Sequence, residues 1–242
     1  MAALLLALLA GACTSIDAAP PKLQAIKTAG VISAVGDEFT LTKSGLTGFD
    51  NSARVFPIEA WGLDDLIVSR VGGLLSRRWQ VQPVTYRRAA FAAVEPDTPV
   101  PVSSLLRDDP VKRLVRTEVL PQGLDAYVVV TKEKSRYGNR AKTVAGVGMI
   151  NHKAVFDSNH EIHALYMIRI IDGHDFSVID KRSARPLGNT EMVRLEGPSR
   201  VVEDSLQPTT NDASPNDKAK AAVIDLIEQS LPPTLQDLRL ID

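Results

Sequence analysis

The fold is decided by the stretch LDDLIVSRVGGLL, residues 63–75, in which apolar side chains recur every three or four positions. This period places them on one face of a helix, and that face must pack against another element. The acidic pair Asp64 and Asp65 favours the N-terminal end of this helix and the basic pair Arg77 and Arg78 its C-terminal end, because each pair complements the helix dipole. The stretch therefore predicts an amphipathic helix with one buried face.

Two segments before this helix carry the pattern of strands. Residues 31–35 are rich in β-branched side chains, and residues 39–42 alternate apolar and polar, with Gly36-Asp37 between the two segments. A strand, a tight turn and a second strand are typical of a hairpin. A further short strand over 80–86 is expected directly after the helix.

The middle of the chain predicts a second helix followed by four strands. Within 103–118, Asp109 is the expected N-cap and Pro110 suits the first turn. Residues 125–131 form a nearly continuous apolar run, which is typical of a strand covered on both faces. The three remaining strands are expected at 143–151, 163–171 and 176–180.

The C-terminal part combines a polar, flexible loop at about 203–214 with a helix over 215–231. Ser214 is its expected N-cap, and Pro232-Pro233 is expected to end it. The complete order, ββαβαββββα, predicts a single α/β (α+β) domain over 26–242. We expect one mixed sheet of about five to seven strands with two or three helices packed on it.

Four segments carry a resemblance to a known group of bacterial envelope domains. They are Leu63-Asp64-Asp65-Leu66, Trp79 to Val84, Gly123 to Val129, and Ile171-Asp172-Gly173. In pattern and order they resemble the N-terminal domain of TolB and the related lipoproteins of curli secretion and penicillin-binding-protein activation. The resemblance spans about 30–182 and implies a fold and a compartment. It implies no site residues, because similar folds perform different tasks.

The N-terminus has the form of a bacterial lipoprotein signal. Residues 2–10 are apolar and uncharged, and small Gly11-Ala12 precede Cys13, which is the only cysteine of the chain. The apolar run is shorter than the roughly twenty residues that a membrane span needs. We therefore expect residues 1–12 to be a removed signal peptide, Cys13 to be lipidated, and residues 13–25 to form a tether.

These features predict an exported lipoprotein that faces the periplasm, with the outer membrane favoured over the inner. Two features depart from the family pattern: no Lys or Arg precedes the apolar run, and Ala10 stands where Leu is preferred. A start residue placed too far downstream would explain the missing charge. The alternative is a buried N-terminal helix that carries an incidental cysteine.

Composition and motifs favour binding over catalysis. The 28 Lys and Arg residues are balanced by 29 Asp and Glu residues, so we expect no general affinity for nucleic acid. The sequence holds no G-x-S-x-G elbow, phosphate-binding loop or dinucleotide fingerprint, and no cofactor is expected. The first hypothesis is therefore a membrane-anchored adaptor that binds an envelope protein or a cell-wall component.

A basic turn is the candidate docking surface for such a partner. Its residues are Lys132, Lys134, Arg136, Tyr137, Arg140 and Lys142. Between 132 and 142 the net charge is +4, whereas residues 203–242 carry −5. The turn either attracts an anionic envelope partner or is an ordinary hairpin tip kept soluble by its charge.

A second hypothesis places a metal-binding or small-molecule hydrolytic pocket near His160, Glu161 and His163. Imidazole and carboxylate groups are common metal ligands. The two histidines are three residues apart just before a predicted strand, where they would point to opposite sides. We therefore predict no metal site here and expect a solvated loop, unless a turn brings the two rings together.

Overall fold

The computed structural model describes residues 20–44, 52–96, 109–119, 122–137, 143–153, 158–187, 195–206 and 214–242. Predictions for the signal peptide, Cys13, Arg140 and Lys142 fall outside these residues. Within them, no helix combines the length and the apolar character that crossing a membrane requires.

Five α-helices and twelve strands are found in the described residues. The helices are α1 (Pro21–Ala25), α2 (Leu63–Leu75), α3 (Arg88–Ala92), α4 (Pro110–Val119) and α5 (Asp217–Asp237). The strands are β1 (Thr28–Ala34), β2 (Glu38–Ser44), β3 (Ser52–Pro57), β4 (Gln80–Gln82), β5 (Ala126–Lys132), β6 (Lys134–Arg136), β7 (Thr143–Ala145), β8 (Val147–Lys153), β9 (Ser158–Ala164), β10 (Tyr166–Asp172), β11 (Val178–Ser183) and β12 (Ser199–Val202).

The strands form two five-stranded mixed sheets and one short ribbon. Sheet A has the order β11-β10-β5-β1-β4, sheet B has the order β12-β9-β8-β2-β3, and β6 pairs with β7. In sheet A, β1 is parallel to β4 and β5, and β10 is antiparallel to β5 and β11. The predicted single mixed α/β domain is confirmed, with its strands divided between two sheets rather than held in one.

The predicted β1–β2 hairpin is wrong, although both of its strands exist. β1 pairs in sheet A, whereas β2 pairs with β3 and β8 in sheet B. The chain changes sheet at Val35 and Gly36, whose amide groups are bound by the buried carboxylate of Asp64. A side chain from α2 therefore takes the place of hairpin pairing at this turn.

The largest hydrophobic core confirms the predicted buried face of α2. Leu63, Ile67, Val71 and Leu75 are each at most 1% exposed. They share a cluster of buried side chains with α5 and with the apolar faces of both sheets. A second cluster lies under α3 and α4, and a third, smaller one includes Ile150 on β8.

The ends of α4 and α5 test three predictions about helix boundaries. Asp109 caps α4 as predicted, because its Oδ1 accepts from the Val111 amide at 3.0 Å. The cap of α5 is Asn216 rather than Ser214, with Asn216 Oδ1 accepting from the Ala219 amide at 2.9 Å. The predicted stop at Pro232-Pro233 is wrong, since α5 continues to Asp237.

Packing explains why α5 runs through two prolines. Leu231, Leu235 and Leu238 are at most 1% exposed and hold the last turns against the core. Inside the helix, the hydroxyl of Thr234 donates to the Ser230 carbonyl at 2.6 Å. The burial of these side chains offsets the cost of about 3 kcal/mol that a proline imposes inside a helix.

The packed domain begins earlier than the predicted tether allows. Helix α1 lies within residues 13–25, and its Leu23 is fully buried. Lys22 on the same helix forms ion pairs with Asp172 at 3.1 Å and Asp175 at 2.6 Å. This helix is therefore docked on the end of sheet A where β1 begins.

Candidate functional site

The candidate site lies where the parallel strands of sheet A end. β1, β4 and β5 run in the same direction and end at Ala34, Gln82 and Lys132. We call this end the carboxyl edge, and the opposite end, at Thr28 and Ala126, the amino edge. Ligands of open α/β sheets bind at the carboxyl ends of the strands, because the loops that follow parallel strands gather there.

Asp64 is the central polar group of the carboxyl edge. It lies in the first turn of α2 and is only 3% exposed. Its Oδ1 accepts from the Ser33 hydroxyl at 2.7 Å and from the Val35 amide at 2.8 Å, and the Gly36 amide lies 3.3 Å from both carboxylate oxygens. The carboxylate therefore joins the end of β1 to the start of α2.

A tyrosine hydroxyl extends the sheet beyond the end of β4. The pairing between β1 and β4 ends at Gly30 and Gln82. Further along β1, the Tyr86 hydroxyl accepts from the Ser33 amide and donates to the Ser33 carbonyl, both at 3.0 Å. Its ring meets Phe91 edge-on, with the centroids 5.6 Å apart. Tyr86 thus fills the hydrogen-bonding position that another strand residue would occupy.

Beside these groups lies an open cleft of about 320 Å³ between α2 and the segment that follows β4. Its lining residues are Val31, Asp65, Val68, Val81, Gln82, Pro83, Val84, Tyr86 and Arg88. The valines supply apolar walls, and one ion pair lies at the rim: Arg88 donates to Asp65 at 2.6 Å. Arg88 also lies 3.7 Å from Asp64, which connects the rim to the buried carboxylate.

Lys132 forms a second polar group at the carboxyl edge. Its ammonium group is 2.9 Å from Asp37 and 3.2 Å from Glu38. Burial alone would lower the pKa of Lys132, but the two carboxylates raise it, and the net pKa lies above the ordinary lysine value. The charge of Lys132 is therefore held by the turn that leads from β1 to β2.

A buried ion pair fixes α4 beside the same edge. Arg169, on β10, is 1% exposed and donates from Nε to Asp109 at 2.9 Å and from Nη1 to Thr131 at 2.6 Å. Asp109 also caps α4, so one carboxylate serves the helix and the arginine together. Compensation of this kind is what makes a buried charge tolerable.

The structure divides the residues of the predicted basic turn among different environments. Lys132 is held as described above, Lys134 donates to Glu95 at 2.7 Å, and Tyr137 is 2% exposed. Arg136 is exposed at the end of β6. Arg140 and Lys142 lie outside the described residues, and partner binding at this turn stays a prediction.

The candidate metal ligands lie on β9 rather than in the expected solvated loop, so that expectation is wrong. His160 pairs through Nδ1 with Asn151 at 3.0 Å, and Glu161, which is 3% exposed, accepts from the Ser199 hydroxyl at 2.7 Å. His163 lies on the opposite face from His160, as strand alternation requires. Across the described ranges, no three His, Cys, Asp or Glu side chains are grouped closely enough to hold a metal ion.

His163 is fully buried and serves the sheet. Its Nδ1 donates to the Gly146 carbonyl at 3.0 Å, so Nε2 carries the lone pair of the neutral ring. A Cβ at position 148 would lie only 2.9 Å from that Nε2, so the imidazole ring packs against the backbone of Gly148. Burial lowers the pKa of His163 to about 4. The ring is therefore neutral at physiological pH, and its buried Nε2 has no hydrogen-bond partner among the described residues.

Sequence reasoning missed Asp64, Arg88 and Arg169 as important polar groups. For Arg169 a signal existed, because a lone arginine between isoleucines in an apolar strand needs a buried partner. The sequence explains Asp64 only through the helix dipole, since nothing local distinguishes it from Asp65. The ion pair of Arg88 depends on tertiary structure alone.

Comparisons with known proteins give distant structural similarity only. Neither a protein-family model nor a curated protein sequence matches the chain. Similar solved structures include protein XCC0632 from Xanthomonas campestris, of the family DUF330, with 8% identity, 89% of this chain and 85% of that chain covered, and a TM-score of 0.34. A single-substitution variant of PelC from Paraburkholderia phytofirmans, solved as a dodecamer, has 11% identity, coverage of 90% and 95%, and a TM-score of 0.31. Lipoprotein GNA1162 from Neisseria meningitidis has 10% identity, coverage of 86% and 99%, and a TM-score of 0.27. At these values no function, ligand or partner is transferred, and the resemblance to TolB stays a prediction.

Proposed function

We propose that the protein is an exported lipoprotein, anchored through Cys13, whose carboxyl-edge cleft binds a protein partner in the cell envelope. The observation that carries the proposal is the common direction of the parallel strands in sheet A, which gives the sheet two different ends. Helix α1 is docked at the amino edge, whereas the cleft beside Tyr86 and Arg88 lies at the carboxyl edge. The seven residues of β1 separate these two ends by about 20 Å, at roughly 3.3 Å per residue.

The chain length between anchor and domain limits how far the amino edge can lie from the membrane. Residues 13–19 separate the lipidated position from Pro20, and seven residues span at most about 25 Å when fully extended. Lys22 then fixes α1 to Asp172 and Asp175. A lipid on Cys13 would keep the amino edge within about 25 Å of the membrane surface.

The chemistry of the cleft favours an apolar peptide segment as its occupant. The walls are formed by four valines, and the ion pair of Asp65 with Arg88 at the rim offers both signs of charge. Such a combination suits an apolar side chain flanked by polar backbone or a charged residue. The proposed partner is therefore a protein rather than nucleic acid.

Mass spectrometry of the protein purified from membranes tests the anchor. The expected mass is that of a chain beginning at Cys13 with attached acyl groups, and a Cys13→Ala variant should retain residues 1–12 and carry no acyl groups. A Cys13→Ala variant that still fractionates with membranes and is processed normally would overturn the lipoprotein assignment.

Site-specific photo-cross-linking in intact cells tests the cleft separately. A photoreactive residue at Asp65, on the rim, should capture one discrete envelope protein, whereas the same residue at exposed Lys218 on α5 should not. Capture at Asp65 should decrease when Arg88→Glu reverses the charge that remains at the rim. Equal capture at both positions, or none at Asp65, would contradict the proposed binding face.

A further inference from the structure

Each of the two edge strands of sheet B exposes one large apolar side chain. Among the described residues, the exposed large hydrophobic side chains are Val55, at 58%, and Val201, at 57%. Val55 lies on β3 and Val201 on β12, and among the described strands these are the two edges of the same sheet. An exposed apolar edge strand is a template for pairing with another chain.

The two valines lie on the same face of the sheet. Directly paired residues on neighbouring strands point to the same side. One such row across the sheet joins, in order, Val55, Thr40, Gly148, His163 and Ser199. Val201 is two residues after Ser199, so strand alternation places it on the face of Val55. A second copy laid edge to edge would therefore bring the two side chains together.

The strand directions are compatible with this arrangement. β3 is antiparallel to β2, and β2 is parallel to β8. β8 and β12 are both antiparallel to β9, so β12 runs in the direction of β2 and opposite to β3. In a second copy with the same orientation, β3 would meet β12 as an antiparallel pair.

The edges of sheet A differ from those of sheet B. β11 carries the charged run Asp180-Lys181-Arg182, and β4 is only three residues long and is followed by Pro83. Charge, short length and proline are the features by which proteins prevent edge pairing. The edges of sheet B carry fewer of these features: β3 is six residues long with a proline only at its last position, β12 is four residues long, and each has one charged residue, Arg54 and Arg200 respectively.

We propose that the protein assembles with itself through sheet B, with β3 of one copy paired antiparallel to β12 of the next and Val55 beside Val201. The contact joins two different surfaces, so each copy offers one β3 edge and one β12 edge. A contact of this kind continues from copy to copy until it closes into a ring or extends as a filament. The assembly does not depend on lipidation of Cys13 or on the cleft of sheet A.

Cysteine cross-linking of the full chain tests the pairing. Opposed residues of an antiparallel pair have Cβ atoms about 4.5–5.5 Å apart, close to the span of a disulfide. Val55→Cys/Val201→Cys should give a ladder of multimers on a non-reducing gel after mild oxidation. A mixture of the two single variants should stop at heterodimers, and each single variant alone should match the wild-type lane, which reports any cross-linking through Cys13.

The matched control is Val201→Cys/Ser69→Cys, because Ser69 is exposed on α2 and belongs to neither edge. This variant should give no ladder. Homodimers of Val55→Cys alone would show that identical edges meet, which overturns the proposed contact. A double variant that gives no ladder, or that is captured only by another protein, also overturns it.

A second measurement keeps the proposal falsifiable if the cysteine variants are poorly oxidised. The wild-type chain should sediment as a multimer, and Val55→Lys or Val201→Lys should shift it to a monomer with an unchanged circular dichroism spectrum. A wild-type chain that sediments as a monomer refutes the assembly, and so does a multimer that both lysine variants leave intact.

Discussion

Replacement of Asp64 by alanine should destabilise the domain far more than the same change at its neighbour Asp65. The two residues share a helix turn and a side-chain chemistry, but their surroundings differ. Asp64 is 3% exposed, whereas the side chain of Asp65 is 76% exposed. The pair therefore isolates the effect of buried hydrogen bonds from that of charge at a helix start.

The magnitude follows from the donors that Asp64 satisfies. Its Oδ1 holds the Ser33 hydroxyl at 2.7 Å and the Val35 amide at 2.8 Å, with the Gly36 amide further away at 3.3 Å. Hydrogen bonds to a charged group contribute about 1.5–3 kcal/mol each, and each buried donor left unsatisfied costs about 1–3 kcal/mol. We expect Asp64→Ala to reduce the free energy of unfolding by about 3–5 kcal/mol, a large fraction of the usual 5–15 kcal/mol.

Two further variants give reference values for the loss expected in Asp64→Ala. Asp64→Asn retains an oxygen acceptor without the charge and should cost about 1–2 kcal/mol. Asp65→Ala removes an exposed ion pair with Arg88 and should cost less than about 1 kcal/mol.

Urea unfolding followed by circular dichroism and by the fluorescence of buried Trp79 measures all three variants. A loss below about 1 kcal/mol for Asp64→Ala, equal to that for Asp65→Ala, would refute the reasoning. In that case the contacts of Asp64 would not hold the crossing from sheet A to sheet B.

Three further predictions concern the buried polar groups and the glycines. Burial lowers the folded-state pKa of His163 from 6.5 to about 4, so the unfolded chain binds the proton first. The free energy of unfolding should therefore fall by up to about 3 kcal/mol as the pH decreases from about 6.5 to about 4. Urea titrations at several pH values should show this slope in the wild type and not in His163→Gln. Gly148→Ala should destabilise the protein, since its Cβ would lie 2.4 Å from a backbone carbonyl oxygen. A Cβ at Gly73 has open space, so Gly73→Ala should stabilise α2 by up to about 1 kcal/mol. Thermal unfolding of the two variants checks that their stability changes have opposite signs. Arg169→Met should reduce the free energy of unfolding, measured in urea, by about 3–5 kcal/mol, because it leaves the Asp109 carboxylate without its partner. Arg169→Met/Asp109→Asn removes that unpaired carboxylate and should recover much of the loss. Equal stability of the single and double variants would contradict the buried pair.

The sequence predicted elements well wherever one local pattern determines them. The period of residues 63–75 indicated α2 and its buried face, and Asp109 was correctly identified as a cap. Both depend on groups within one or two turns of chain. The α/β class followed from the order of such elements.

Partner choice was not predictable, because it depends on contacts distant in sequence. Residues 31–35 and 39–42 have strand patterns separated by a turn, and a hairpin is the simplest interpretation. Asp64, about thirty residues away, binds the amides of that turn and directs the second strand into another sheet. No local pattern contains this information.

The candidate site shows the same division between local and distant causes. The basic turn was chosen for its charge, but Lys132 is held by Asp37, on the turn between β1 and β2, and by Glu38, the first residue of β2, while Lys134 is held by Glu95. Charge counted along the chain predicts a surface only when neighbours in space do not neutralise it. The cleft beside Tyr86 was missed because its walls come from three segments that only the fold brings together.

The two sheets differ in a way that bears on both proposals. The carboxyl edge of sheet A is built from satisfied polar groups, since Asp64, Tyr86 and Arg169 each hold backbone or side-chain partners. A surface fixed in this way can present a shaped cleft without rearranging, which reduces the entropic cost of binding. The edges of sheet B instead expose the apolar side chains of Val55 and Val201. Binding at sheet A and self-assembly at sheet B would therefore use different surfaces. A multimer would present several clefts at once to a partner with repeated binding segments, so that several weak contacts together would give a high avidity.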